Sequence, residues 1–300
     1  MTDGPLPITL LGGYLGAGKT TLVNHLLRHA DGQRLAVVVN DFGDLPIDAD
    51  LIEAAGDDLL TLAGGCVCCT VGDDLGDTLR ALAARAPRPD QVLIETSGVA
   101  LPGALAGTLS LMRDVALAAV VVLVDAETAT ARADDPYLGD TICRQIRQAD
   151  LIVLTKPDLA GPAGMDRTRT LIAALHPAAM VIEAAEGRVP PALILGPRPR
   201  SGEDAPAPAT PGHDSLLFRP ARPLDARTLA RGLADPALGV LRAKGVFLDE
   251  AGAPRLVQAV GARVRLSAPP QGARAGIVVI GRQGGLDPAG LAALFGVHGR

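Results

Sequence analysis

Short, nearly continuous apolar runs alternate along the first two thirds of the chain with stretches whose apolar positions recur every three or four residues. The runs at 6–11, 35–40, 59–62, 92–95, 119–125, 151–155 and 180–183 are rich in Val, Leu, Ile and Ala. That is the pattern of strands covered on both faces. Between them, 19–29, 73–86, 138–148 and 166–175 carry helical spacing. In the second of these, Leu75, Leu79 and Leu82 share one face, and Asp73, Asp74 and Asp77 suit the positive end of the helix dipole. The alternation predicts an α/β fold, a mainly parallel sheet with helices on both faces. It breaks at 184–214, where VPPALILGPRPRSGEDAPAPATPG is Pro-rich and polar and reads as a linker. Strand-like segments return at 215–218, 240–248, 255–266 and 277–280, with helical patterns at 224–233 and 288–295, predicting a small α+β domain. The expected division is a first domain over 1–184, a linker over 185–213 and a second domain over 214–300.

Composition narrows the function classes. A chain of 300 residues suits about two domains. Its 48% hydrophobic and 20% charged residues indicate packed cores and exclude a disordered chain. A net charge of −5 argues against a general nucleic-acid binder, and 2% aromatics with no Trp argue against a base-stacking platform. The longest apolar stretch, 115–124, is about half the ~20 residues that a membrane-spanning helix needs. Residues 1–7 hold no basic leader segment. A cytoplasmic protein with no membrane or nucleic-acid partner is expected.

The first helix is preceded by Gly13-Tyr14-Leu15-Gly16-Ala17-Gly18-Lys19-Thr20, a full G-x-x-x-x-G-K-[ST] phosphate loop between an apolar strand and an amphipathic helix. Gly13, Gly16 and Gly18 let successive backbone N–H groups curl around phosphate oxygens, with Ala17 and Thr21 beside them. Lys19 reaches the β and γ phosphates, the Thr20 hydroxyl ligates Mg²⁺, and the helix N-terminus adds its positive end. A carboxylate is needed near the metal, at the end of another strand; Glu95 and Asp125 are the candidates. Glu95-Thr96-Ser97-Gly98 resembles a D-x-x-G element with Glu for Asp, and lets the Gly98 N–H meet a γ-phosphate. Thr155-Lys156-Pro157-Asp158 resembles the guanine-reading N-K-x-D. Asp158 accepts from the N1–H and N2–H₂ edge of guanine, which adenine does not offer, and the Lys156 stem lies on the base. Thr155 replaces the motif's Asn and supplies one hydrogen bond where the amide supplies a donor and an acceptor.

Three of the four cysteines lie together in Gly64-Gly65-Cys66-Val67-Cys68-Cys69-Thr70. Thiolates this close do not staple a fold; they suit Zn²⁺ and softer ions. Three ligands within four residues leave a tetrahedral site incomplete, which favours metal transfer over permanent storage. Asn40-Asp41-Phe42-Gly43-Asp44 ends the second predicted strand; Asp41 or Asp44 joins the thiolates or orients an attacking water. His25 and His29, four apart on the first helix, are a weaker metal pair whose commoner role is to satisfy a helix C-terminus. Cys143 stands alone in a helical pattern and is expected in the core, and His213 falls in the linker.

Taken together, GGYLGAGKTTLVNHLL, VVVNDFGD, GGCVCCT, IETSGVALP and TKPDL resemble the CobW-type family of phosphate-loop GTPases, the metallochaperone family that includes zinc-regulated activators. In the C-terminal part, LRAKGV at 241–246 and IGR at 280–282 look like that family's smaller domain. The resemblance implies slow GTP hydrolysis with Mg²⁺, held by Thr20 and Glu95, and catalysis through Lys19, Asp41 and Glu95. It also implies Zn²⁺ or Co²⁺ at Cys66, Cys68, Cys69 and Asp41, delivered to a client metalloprotein or metal chelatase. Asp41 stands where the family's Glu is usual, one methylene shorter, and the linker's single His replaces the His-rich tract of metal-buffering members. The expected cycle is a nucleotide-gated metal site: GTP·Mg²⁺ orders the loops after Asn40 and Glu95, and hydrolysis loosens them. The rival reading is a zinc-binding or thiol redox-sensing module with a regulatory nucleotide site. A small-molecule kinase is a third, disfavoured by the base-reading segment and the thiolates.

Overall fold

A computed structural model describes residues 4–30, 32–39, 59–61, 74–196, 212–269 and 275–297. They form two compact units, one over Pro5–Pro191 and one built on Ala192–Arg300. The first contains β1 (Leu6–Gly12), β2 (Leu35–Val39), β3 (Leu59–Thr61), β4 (Gln91–Glu95), β5 (Val115–Asp125), β6 (Leu151–Thr155) and β7 (Met180–Ala184). Their order is β3-β2-β4-β1-β5-β6-β7, and every pairing is parallel. The helices α1 (Lys19–Arg28), α2 (Asp74–Ala84), α3 (Pro102–Ser110), α4 (Ala129–Ala133), α5 (Gly139–Arg147) and α6 (Pro157–Leu175) make the crossovers. The central strands are buried along their whole length, as their apolar runs require. Helices meet them through the anticipated face: Leu75, Leu79 and Leu82 of α2 share one core with Leu6, Ile8, Val38 and Ile94. Each fully buried Leu or Ile there stabilises by about 1.5–3 kcal/mol.

The structure departs from the expected elements at specific places. β5 begins four residues before the predicted run, because Leu6, Pro7 and Ile8 of β1 give 115–117 a pairing edge. Helix α6 begins at Pro157 and breaks at Gly161, whose φ of 62° and the following Pro162 interrupt the helical hydrogen bonding. Helix α3 escaped the sequence reading since its faces are not segregated; only Pro102 at its first turn marks it. Within the stretch read as linker, Pro191–Leu195 is a short helix, α7, with Leu193, Ile194 and Leu195 buried.

The second unit is an antiparallel sheet, β11-β10-β9-β12-β8, of β8 (His213–Phe218), β9 (Val240–Leu248), β10 (Pro254–Val260), β11 (Arg263–Ser267) and β12 (Gly276–Arg282). The segment read as one strand over 255–266 is a hairpin turning at Gly261, φ 52°. His213 belongs to β8 and is paired with Arg282, so it lies outside the linker. Helices α8 (Ala226–Leu233) and α9 (Pro288–Leu294) cover one face through Leu229, Leu233, Leu291 and Phe295. Asp225 and Asp287 cap them, accepting from Thr228 N and from Ala289 N and Gly290 N. Arg242 of β9 is fully buried; its Nη1 donates to the carbonyls of Leu193 (3.3 Å) and Ile194 (2.9 Å). Burial pushes its pKa down to about 9. Among the described residues, no helix is long and apolar enough to cross a membrane.

Candidate nucleotide site at the carboxyl edge of the parallel sheet

A parallel sheet brings the carboxyl ends of its strands to one edge, and the phosphate loop, Glu95, Asp125 and the segment 155–158 lie there. β1 runs into the loop 13–18. A side chain at Gly13 would strike the Leu123 carbonyl at 2.4 Å, so the loop turns tight against β5. Gly16 and Gly18 hold φ of 76° and 94°, and a Cβ at either would meet nothing within 4 Å. Glycine is therefore required there by backbone conformation, with open space left beside it. Gly18 also begins α1, a helix with no side-chain cap and no acid in its first turn, so its first N–H groups are not masked by carboxylates. Lys19, 7% exposed, curls back to donate to the Gly13 carbonyl at 2.9 Å. These features fit a phosphate chain.

The two candidate carboxylates separate cleanly. Glu95 ends β4, beside Leu11 of β1 and Val39 of β2, and is 2% exposed. Its Oε1 accepts from the Thr20 hydroxyl at 3.2 Å, across 75 positions of sequence. A hydroxyl and a carboxylate so placed are the hard oxygen donors that suit Mg²⁺. Asp125 ends β5, but its Oδ1 accepts from Glu127 N (3.0 Å) and its Oδ2 from Lys156 Nζ (2.8 Å). It is a partner of Lys156 and not of Thr20.

That segment follows β6. Lys156 adopts a left-handed conformation, φ 56°, which starts α6 and leaves Asp158 exposed in its first turn. The Thr155 hydroxyl donates toward the Ala17 carbonyl at 3.0 Å and is 3.3 Å from the Val124 carbonyl. The residue that departs from the guanine motif thus ties that segment directly to the phosphate loop. Arg132 of α4 is a further member that sequence reasoning missed. Its Nη1 donates to the Leu15 carbonyl at 3.1 Å, and its guanidinium lies 5.0 Å from the centroid of the Tyr14 ring. Nothing local to ATARA signals this, because the contact joins residues 117 positions apart.

Asp41, Asp44, Cys66, Cys68 and Cys69 lie outside the described residues. Among the described residues no group of three His, Cys, Asp or Glu is placed to hold a metal ion. His25 and His29 instead serve the end of α1. The rings are 4.5 Å apart, His25 Nε2 is 2.9 Å from the Val189 carbonyl, and His29 Nδ1 is 2.9 Å from the His25 carbonyl. Desolvation holds the His25 pKa below the usual value, against the contact with Val189 and helped by nearby His29. Cys143 is half-buried on α5 and free, short of the core position expected.

Residues 7–183 match the CobW/HypB/UreG nucleotide-binding domain, and residues 213–297 match the cobalamin synthesis protein cobW C-terminal domain. A zinc chaperone CobW from Sinorhizobium sp. is 34% identical over 87% of both chains. The Escherichia coli zinc chaperone YjiA is 35% identical over 64% of this chain and 61% of its own. The crystal structure of the Zn(II)-bound YjiA GTPase from E. coli aligns over 98% of this chain and 99% of that one, with a TM-score of 0.50 and 25% identity.

Proposed function

The chain belongs to the CobW/HypB/UreG family, and from that premise we propose that it is a GTPase that binds zinc in a nucleotide-dependent way and hands it to a client protein. The Thr20–Glu95 contact carries the nucleotide half of this reading, because it completes a phosphate loop with a carboxylate from a neighbouring strand end. Lys19 draws the β and γ phosphates to the loop 13–18, and Asp158 selects guanine. Thr20 and Glu95 would hold Mg²⁺, which would supply positive charge to the phosphates. Glu95 is placed on the same edge as Thr20, so nucleotide binding bears directly on the segment 95–98. Zinc is cargo, with Cys66, Cys68, Cys69 and Asp41 as its ligands. Relatives named as zinc chaperones and the Zn(II)-bound YjiA GTPase support zinc as the cargo, and the ligand set rests on the sequence motif.

The test of the ligand set is zinc stoichiometry on the full chain with a non-hydrolysable GTP analogue. Joint replacement of Cys66, Cys68 and Cys69 by Ser is expected to remove the bound zinc. Unchanged stoichiometry would place the cargo elsewhere.

A further inference from the structure

Resting on the nucleotide reading above, we propose that Gln145 is a positioning residue that fixes the 97–100 turn against the phosphate loop and so sets preference for a triphosphate over a diphosphate. Gln145 lies on α5, 2% exposed. Its Nε2 donates to the Gly98 carbonyl at 3.0 Å and to the Ala100 carbonyl at 2.8 Å. With two carbonyl oxygens facing it, only the NH₂ end of the amide fits there, which defines the side-chain orientation. One turn further on, Gln148 Oε1 accepts from Gly103 N at 2.9 Å. Gln145 within α5 and Gln148 at its C-terminal cap thus grip both ends of the segment 98–103.

The turn has little freedom left. Ala100 N donates to the Ser97 carbonyl at 2.9 Å, and Thr96 N donates to the Leu11 carbonyl at 2.9 Å. Gly98 packs so closely on the phosphate loop that a Cβ there would lie 2.7 Å from Leu15 N and 2.6 Å from Leu15 Cδ2. From Glu95, which touches Thr20, to Gly98, which touches Leu15, the segment runs along the face where Lys19 and Thr20 meet the terminal phosphates. A γ-phosphate bonds the turn only if its amide is already aimed. The α and β phosphates rest on the loop itself, which α5 does not hold through Gln145. Removal of the Gln145 clamp therefore selectively weakens binding of the triphosphate.

The test compares affinities of the full chain and of Gln145→Met, which keeps the length but not the donor, for a non-hydrolysable GTP analogue and for GDP. The expected result is about a tenfold loss for the analogue, with GDP changed less than about twofold. Equal losses for both nucleotides, or no loss for either, would overturn the proposal. A second measurement needs no substitution: amide hydrogen exchange at 97–100 in the unmodified chain. Greater protection with the analogue than with GDP is expected, and equal protection would also overturn it. A parent chain that binds neither nucleotide would overturn the nucleotide reading itself, a separate outcome from tight binding with an unchanged ratio.

Discussion

The two sheets show what strand direction does for chemistry. In the first unit all pairings are parallel, so Gly12, Glu95, Asp125 and Thr155 end at one edge, and the loop 13–18, Glu95 and the segment 155–158 meet there. In the second unit neighbouring strands run oppositely, and among the described residues their ends alternate between two edges. Its notable polar group, Arg242, faces backbone carbonyls of its own unit. Parallel order gathers the strand ends at one edge; antiparallel order divides them between two.

That contrast is sharpest if substitutions in the first sheet alter nucleotide handling while those in the second alter stability. The largest expected effect is from Lys19→Ala: a loss of about 10²-fold or more in GTP turnover, read by phosphate release, since the buried cation of the phosphate loop is removed. Asp158→Ala comes next, with preference for GTP over ATP falling about 10–100-fold in competition binding, because the guanine edge loses its acceptor. Arg242→Met breaks the comparison if it touches nucleotide affinity. It is expected to cost the second unit about 1–3 kcal/mol in denaturant unfolding, through the unsatisfied Leu193 and Ile194 carbonyls, and to leave GTP binding unchanged. Thr155→Val is the mildest, about fivefold weaker GTP binding, as the tether to Ala17 is lost and the fold kept.

The first unit was largely legible in the sequence because buried parallel strands read as apolar runs and the phosphate loop is a contiguous motif whose glycines have a conformational reason. Contacts that join distant residues were not. Thr155 read as a departure from a motif, and its bond to Ala17 exists only after β6 is laid two strands from β1. Asp125 and Glu95 looked equivalent as strand-end carboxylates until Lys156 and Thr20 distinguished them. Gln145 and Arg132 sit in ordinary helical spacing, and their partners lie 45 or more positions away. Pro191–Leu195 looked like linker because prolines dominate its surroundings, although its apolar residues are buried.

In the proposed cycle nucleotide state sets metal affinity. Its most direct measurement is Zn²⁺ affinity of the full chain, by competition with a chelating dye, with a GTP analogue, with GDP and with no nucleotide. Tightest binding is expected with the analogue, by about tenfold or more over GDP, and zinc must then raise the preference for the analogue over GDP by the same factor. The same zinc affinity in all three states would contradict it.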